Sequence, residues 1–483
     1  MSERIHDLLS ISKARTVITL LFLLLYLSFP SSAEVQAGDD LQAAIRGAAP
    51  GETVLVGPGA YGPVVVDKPL VLIGVGEPVI SADIQVPAIA IMADGVVVSG
   101  FTIIGVPEDT TAKFNRFMAG RSGSFQVAPL ELDLPNAALL VEGDCFLLND
   151  TNVIEAEVGI FLREVSSITL KNSSFDRCDT SVSMNGCSDC LLERCSWSDC
   201  SKGLTALESI NLTLRSCRAL NNTHYGVLLR DSSHCLAEDT TIFGSMEGLA
   251  LWDTAYCEVL GNRIGGNYYG LLVSGSDNNT IQGNLLKENN RGDLGIRFGV
   301  GISLEENSSY NLVADNRISK SFNGLELIDG CERNALIGNY ITLNTHGIRV
   351  KMNMNNLFSQ NNLVNNLISI EDNQSHNSWN GTVGNYYSDY SGTDGDGDDI
   401  GDAPYHIPMG NSDGVDYRPL MKPAAGSPEM DIDRAMAEVD RYVCYDPVED
   451  QTVRVEGGAL VISAKRPQGP PRFDDTPGNK EAF

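Results

Sequence analysis

The chain has 483 residues, with 34 Lys and Arg against 63 Asp and Glu, and a formal net charge of −29 at pH 7. Binding to phosphate groups relies on clustered basic side chains, so this balance argues against a nucleic-acid partner. Hydrophobic residues make up 42% of the chain, which excludes wholesale disorder, and the 47 glycines exceed an average share.

The amino-terminal segment has the features of a secretory signal peptide. Lys13 and Arg15 precede an uncharged apolar stretch at residues 16–29, and small residues stand before a cleavage point after Ala33. The apolar stretch is shorter than the roughly 20 residues that span a bilayer. We therefore expect residues 1–33 to be a cleaved signal peptide. The mature protein would be secreted, at the cell surface or in a periplasm-like compartment, without a transmembrane anchor.

Short apolar segments that each follow a glycine recur through the middle of the chain. These glycines are Gly159, Gly203, Gly226, Gly248, Gly270, Gly301, Gly324 and Gly347. Most of their spacings are 22 or 23 residues; one of 44 is a double period with Ser181 in the gap, and one of 31 predicts an insertion within residues 287–298. A row of asparagines keeps the same period: Asn262, Asn284, Asn316, Asn339, Asn362 and Asn385.

This period predicts an all-β fold, a right-handed single-stranded parallel β-helix with three short strands in each coil. Each strand would pair with its equivalent one coil away, about 4.8 Å along the axis. Asparagine tolerates left-handed turns, and stacked asparagines can bond to the backbone of neighbouring coils. We expect coils over residues 34–420, most regular at 137–390, a cap helix near residues 39–48, and a partly disordered extension at 421–483.

Three pairs of cysteines are one period apart. They are Cys178 and Cys200, Cys195 and Cys217, and Cys235 and Cys257. One coil apart, their Cα atoms would be close enough for disulfide bonds. Stacked side chains point in parallel, however, and that favours a column of buried thiols. Both states stay open from the sequence.

An aspartate-rich segment follows the last coil. Asp394, Asp396 and Asp398 alternate with other residues as in the first ligand positions of an EF-hand loop, where Ile400 would offer its carbonyl. The EF-hand pattern then fails, so Asp402 would have to complete the ligand set. We expect a bound Ca²⁺ here, with a solvated acidic turn as the alternative.

The same segment carries a resemblance to a known family. Residues 384–390, Gly-Asn-Tyr-Tyr-Ser-Asp-Tyr, the aspartate-rich segment and Gly-Asp-Ala-Pro-Tyr at 401–405 resemble NosD-type β-helix proteins, which include archaeal surface proteins. That family belongs to the wider carbohydrate-binding and sugar-hydrolase (CASH) β-helices. Its name implies copper handling, but the six histidines are scattered and Met352 and Met354 form an isolated pair. Copper is therefore not expected.

One face of the coils carries candidate ligand-binding residues. Tyr225, Trp252, Tyr269 and Glu305 stand at fixed positions around the repeat glycines, where aromatic rings can stack on sugars and carboxylates can bind hydroxyl groups. Catalysis on this face would draw on His224, Arg230, Asp231 and Asp253.

These patterns leave three functions open. The leading interpretation is a non-catalytic β-helix that binds carbohydrate or has a structural role in a surface layer. The alternatives are a polysaccharide-active hydrolase, lyase or epimerase, and a copper-handling NosD-like accessory protein. Ordinary solvated turn residues would equally produce the periodic face.

Overall fold

The computed structural model describes most of the chain. The described residues are 32–107, 136–290 and 298–424, with the backbone of two further strands at 452–456 and 459–463. Nearly all of the expected signal peptide and most of the expected carboxyl-terminal extension lie outside these residues. The first strand, Ser32–Val35, pairs with Thr53–Val56. A cut after Ala33 would therefore fall inside this strand.

Three long parallel sheets form a right-handed parallel β-helix, which confirms the expected fold class. The chain passes through sheets 1, 2 and 3 in turn and then begins the next coil. Sheet 1 contains Ser32–Val35, Thr53–Val56, Val71–Gly74, Val97–Ser99, Leu147–Asn149, Thr169–Lys171, Leu191–Glu193, Thr213–Arg215, Leu236–Glu238, Glu258–Leu260, Thr280–Gln282, Leu312–Ala314, Ala335–Ile337, Met354–Ser359 and His376–Ser378. Sheet 2 contains Ala60–Tyr61, Val79–Ser81, Thr102–Ile104, Asn152–Ile154, Ser174–Asp176, Ser196–Ser198, Arg218–Leu220, Thr241–Phe243, Arg263–Gly265, Leu285–Lys287, Arg317–Ser319, Tyr340–Thr342, Asn362–Val364 and Tyr386–Tyr387. Sheet 3 contains Val64–Val66, Ile89–Ile91, Ala137–Val141, Val158–Arg163, Thr180–Asn185, Lys202–Leu207, Tyr225–Arg230, Glu247–Trp252, Tyr269–Ser274, Val300–Glu305, Asn323–Ile328, His346–Lys351, Ile368–Asn373 and Met409–Gly410.

Two short antiparallel pairs follow the coils. Tyr405–His406 pairs with Val415–Asp416, and Thr452–Glu456 pairs with Ala459–Ser463. Among the described residues, no helix is long and apolar enough to cross a membrane.

A short helix, Leu41–Gly47, covers the amino-terminal end of the coils at the expected place. Asp40 caps it by accepting a hydrogen bond from the backbone N–H of Ala43, and Leu41 and Ile45 are buried against the first coil. The helix therefore shields the core at the end where no preceding coil stacks.

The repeat glycines are the second residues of their sheet 3 strands, and the neighbouring coil leaves no room for a Cβ atom on them. A Cβ atom at Gly248 would lie 2.5 Å from the carbonyl oxygen of Gly270 and 2.8 Å from Nδ2 of Asn267. Close-packed interiors do not yield to such a contact. In the strand Thr180–Asn185 the second residue is Ser181, which explains the double period in the sequence.

Asparagine side chains form hydrogen-bonded ladders at the interior corners between strands. Oδ1 of Asn316 accepts from the backbone N–H of Asn284 at 3.0 Å and from its Nδ2 at 2.9 Å. Nδ2 of Asn316 donates to the carbonyl of Ile281 at 2.9 Å and to Oδ1 of Asn339 at 3.0 Å. Each buried asparagine therefore pairs backbone groups that turn away from the sheets.

Two details of the expected asparagine row are wrong. The fifth member is Asn361, whose Oδ1 accepts from the backbone of Asn339, whereas Asn362 begins a strand. The ladder asparagines also do not occupy left-handed turns. The left-handed residue is the one before, such as Asp315 with φ 54° ahead of Asn316. The asparagines of this row therefore serve hydrogen bonding, whereas other asparagines, such as Asn278 and Asn307, occupy left-handed turns.

The cysteines occupy the same corner columns in the earlier coils. Sγ of Cys200 accepts from the backbone N–H of Cys178 at 3.2 Å, and the N–H of Cys200 donates to Oδ1 of Asn222 at 3.3 Å. All ten cysteines of the described residues are free thiols, and all except Cys145 are buried. Cysteine thiols and asparagine amides thus both accept hydrogen bonds from backbone N–H groups of the preceding coil.

Candidate functional site

Three aromatic side chains lie on the outer face of sheet 3 and cover an apolar strip. The strip consists of Leu228, Ala250 and Leu272, which point away from the core yet are buried; Tyr225, Trp252 and Tyr269 pack over it. We call these six residues the aromatic patch. The rings of Tyr225 and Trp252 meet edge to face with centroids 5.7 Å apart.

Two carboxylates flank the aromatic patch. Glu247 lies between Tyr225 and Tyr269 in the register of sheet 3, and burial, together with repulsion from Glu305, raises the pKa of Glu247 to about 7. Burial also raises the pKa of Glu305, although Ser303 Oγ donates to its carboxylate at 2.7 Å.

Two buried polar atoms at the aromatic patch have no hydrogen-bond partner. They are Oε2 of Glu247 and Nε1 of Trp252, one an acceptor and the other a donor. Buried polar groups in proteins are normally paired, and an orphan costs about 1–3 kcal/mol. The aromatic patch therefore offers unused hydrogen-bonding capacity next to apolar surface.

A cluster of charged side chains adjoins the aromatic patch further along sheet 3. Arg349 contacts Glu326 at 2.6 Å and Glu371 at 3.3 Å, and Nε2 of His346 lies 3.4 Å from Glu371. Burial lowers the pKa of His346 despite the neighbouring carboxylate. This cluster is internally paired, unlike the carboxylates at the aromatic patch.

The four residues considered for catalysis are not gathered into one centre. His224 is exposed just before the strand Tyr225–Arg230, where its Nδ1 lies 3.0 Å from Ser201 Oγ. Arg230 ends that strand, and at about 3.3 Å per residue the two Cα atoms are roughly 20 Å apart. His224 therefore does not stand beside Arg230.

The other three candidates, Arg230, Asp231 and Asp253, lie at the carboxyl-terminal ends of their strands. Arg230 is paired with Asp231 at 3.4 Å and lies over the Trp252 ring at 5.9 Å. Asp231 and Asp253 are exposed turn residues one coil apart, with φ 49° and 51°. Both are adjacent to the aromatic patch.

The ligand-binding residues expected from the sequence do share the outer face of sheet 3. Tyr225, Trp252, Tyr269 and Glu305 are first or last residues of its strands. The sequence reasoning missed Glu247, which occupies the same column as Tyr225 and Tyr269. Reading every residue before a repeat glycine would have found it.

The aspartate-rich loop brings three carboxylates together. Oxygens of Asp394, Asp396 and Asp398 lie within 4.8 Å of one another. Asp402 is not one of this group, because its Oδ2 accepts from the backbone of Gly395 at 2.8 Å. The backbone N–H of Ile400 donates to Asp398 at 2.9 Å. Three hard oxygen ligands thus converge, fewer than the five expected positions.

A protein-family model matches the middle of the chain. The model described as "Periplasmic copper-binding protein (NosD)" matches residues 135–293 and 232–392, which together span more than half of the chain. The chain belongs to the NosD family. A relative from Stutzerimonas stutzeri, "Probable ABC transporter binding protein NosD", is 28% identical over 190 residues, 38% of this chain and 39% of that one. This NosD-family chain therefore spans about two fifths of that relative's length.

Solved structures of low sequence identity resemble the chain. The mannuronan C-5 epimerase A-module of Azotobacter vinelandii has 14% identity and a TM-score of 0.44, with 72% of this chain and 95% of that one covered. An exopolygalacturonase from Thermotoga maritima has 10% identity and a TM-score of 0.38, with 73% and 93% covered. Neither likeness indicates what the NosD-family chain binds.

Copper, which the family description names, was tested against the donor atoms present. Copper in proteins is held by imidazole, thiolate and thioether groups. In residues 32–107, 136–290 and 298–424, the one convergent group of three or more His, Cys, Asp or Glu side chains is the oxygen-only group of Asp394, Asp396 and Asp398. The described residues therefore contain no group of three or more His or Cys side chains that could form a copper centre.

Proposed function

We propose that this NosD-family protein is an exported or periplasmic β-helix that binds a carbohydrate on the aromatic patch without transforming it. One observation carries the proposal: three aromatic rings cover an outward apolar strip beside the unpartnered Glu247 carboxylate and Trp252 indole N–H. A sugar ring presents C–H groups to aromatic faces and hydroxyl groups to polar atoms. The aromatic patch offers complements to both.

The arrangement of acids and bases supports binding rather than catalysis. Glycoside hydrolases place two carboxyl groups about 5–9.5 Å apart. Glu247 and Glu305 are two coils and five strand positions apart, so by strand spacing their Cα atoms are about 19 Å apart. Arg230 is paired with Asp231 at 3.4 Å, and His224 is at the other end of that strand.

The test is binding of polysaccharides to the full chain and to Trp252→Ala, by affinity electrophoresis in gels containing neutral, amine-bearing or uronic-acid polymers. We expect retardation by at least one polymer and its loss in Trp252→Ala. Tyr417→Ala is the matched control, because Tyr417 is the most exposed of the large aromatic side chains in the described residues and lies in the segment after the last coil. Retardation by none of the polymers would refute the proposal.

Product analysis in the same samples separates binding from catalysis. Reducing ends, unsaturated products or epimerised sugars that depend on Asp253 would replace the proposal with the enzyme alternative. Binding by the unaltered chain that is lost in Trp252→Ala, with no product in any sample, would support the proposal.

We also propose that the aspartate-rich loop binds Ca²⁺. The convergence of Asp394, Asp396 and Asp398 supports this, since hard cations prefer carboxylate oxygens and water can fill remaining positions. Asp402 would act indirectly by holding Gly395 in place. The ion would fix the segment that closes the carboxyl-terminal end of the helix.

A further inference from the structure

Acidic side chains outnumber basic ones around the aromatic patch, where Arg230 is the base closest to Trp252 and is paired with Asp231. Four successive sheet 3 strands, Glu247–Trp252, Tyr269–Ser274, Val300–Glu305 and Asn323–Ile328, form the face on and beyond the aromatic patch. The outward residues of these strands and the residue after each include six acids: Glu247, Asp253, Glu305, Glu306, Glu326 and Asp329. The same positions contain no Lys or Arg.

Two arginines beside this face form ion pairs. In the coil before this face, Arg230 is paired with Asp231. In the coil after it, Arg349 is shared between Glu326 and Glu371. Glu326 is thereby compensated, whereas Oε2 of Glu247 is buried without a donor. The face therefore keeps an uncompensated negative potential.

We infer that the glycan bound at the aromatic patch carries protonated amines, as amino sugars do, and not carboxylates. This inference rests on the proposed function and names its ligand class. A uronic-acid polymer would bring one anion per sugar onto a face of like charge, at a cost in every coil it crosses. An ammonium group would instead supply the missing donor to Glu247.

The aromatic rings fit the same ligand. A cation within about 6 Å of an aromatic ring centroid is attracted by the ring quadrupole. Trp252 already holds the Arg230 guanidinium at 5.9 Å, which shows that the surroundings of this ring accept positive charge. Sugar rings and ammonium groups would thus use one surface.

Proton release gives the inference a second signature. Glu247 faces Tyr225, Tyr269 and Glu305, none of which is cationic, and burial raises its pKa to about 7. An ammonium group beside it would favour the ionised carboxylate and lower that pKa. Binding near pH 6 would therefore release a proton from Glu247.

The experiment is calorimetry at pH 6 with three hexasaccharides: glucosamine, N-acetylglucosamine and galacturonic acid oligomers. We expect the glucosamine hexamer to bind at least tenfold more tightly than its N-acetylated form, with proton release visible between two buffers, and the galacturonate hexamer to bind weakest. Glu247→Gln should reduce the preference for the amine to under threefold and remove the proton release. Glu305→Gln should reduce the preference as well.

Control variants distinguish the preference for amines from carbohydrate binding itself. Glu258→Gln, an exposed glutamate on sheet 1, should change nothing. Galacturonate binding as tight as that of glucosamine, or an amine preference unchanged in both glutamate variants, would overturn this inference and leave carbohydrate binding standing. Failure of all three hexamers to bind would overturn the proposed function itself. Melting curves of each variant would verify that it is folded.

Discussion

Truncation of one ladder asparagine, Asn316→Ala, should destabilise the β-helix by far more than an ordinary polar substitution. Asn316 is fully buried and makes four side-chain hydrogen bonds, at 2.9 to 3.0 Å. Alanine would leave the backbone N–H and amide of Asn284 and the carbonyl of Ile281 without these partners. At about 1–3 kcal/mol for each buried orphan, with partial relaxation, the free energy of unfolding should fall by about 3–5 kcal/mol.

The assay is equilibrium urea unfolding followed by intrinsic fluorescence, with circular dichroism as the second probe. Asn152→Ala is the matched control, because Asn152 is exposed on sheet 2 and accepts one hydrogen bond from Ser174; its loss should be below about 1 kcal/mol. Asn316→Ser should recover part of the loss, since Thr240 Oγ1 in the same column accepts a backbone N–H from the preceding coil. Equal stability of Asn316→Ala and Asn152→Ala would refute the ladder as a source of stability.

Three further predictions concern other parts of the molecule. Gly248→Ala should lower the free energy of unfolding in urea by at least about 2 kcal/mol, since its Cβ would lie 2.5 Å from a backbone oxygen. Gly62→Ala is the control, because Gly62 has open space around it, and it should cost under about 0.5 kcal/mol. Similar losses in the two variants would contradict the packing argument. The pKa of Glu247 in the folded state, about 7, is above the ordinary 4.5, so the stability that protonation provides is lost as pH rises from about 4.5 to about 7. At 1.36 kcal/mol per pKa unit this amounts to about 3 kcal/mol, and the pH-dependent loss in Glu247→Gln should be smaller by that amount; identical pH profiles would count against it. For the aspartate-rich loop, Ca²⁺ should raise the melting temperature over that in chelator, and the increase should disappear in Asp394→Asn but not in Asp413→Asn; no increase in the unaltered protein would remove the site.

The sequence by itself determined the architecture. A period of 22 or 23 residues needs short strands in a stack, because a single coil cannot bury its own apolar residues. The glycine column and the alternation of apolar residues located the strands of sheet 3 as far upstream as Val158–Arg163. These features are local and recur in every coil, so the strand positions in one coil support those assigned in the next.

The sequence was less informative at the corners. It identified a row of asparagines but assigned them to left-handed turns and placed Asn362 in the row instead of Asn361. Periodic spacing fixes a column only to within a residue, whereas hydrogen bonds between coils fix it completely. The residue that turns left-handed is the preceding one, which is Asp315 before Asn316 and Gly338 before Asn339.

Only the tertiary structure decided which outward residues share a surface. Tyr225 and Trp252 are 27 positions apart and at opposite ends of their strands, yet their rings meet edge to face because both side chains pack against the same apolar strip. The orphaned atoms of Glu247 and Trp252 likewise depend on burial by neighbouring coils. The reason is physical: spacing determines which residues stack, whereas side-chain rotamers and solvent exclusion determine which of them meet.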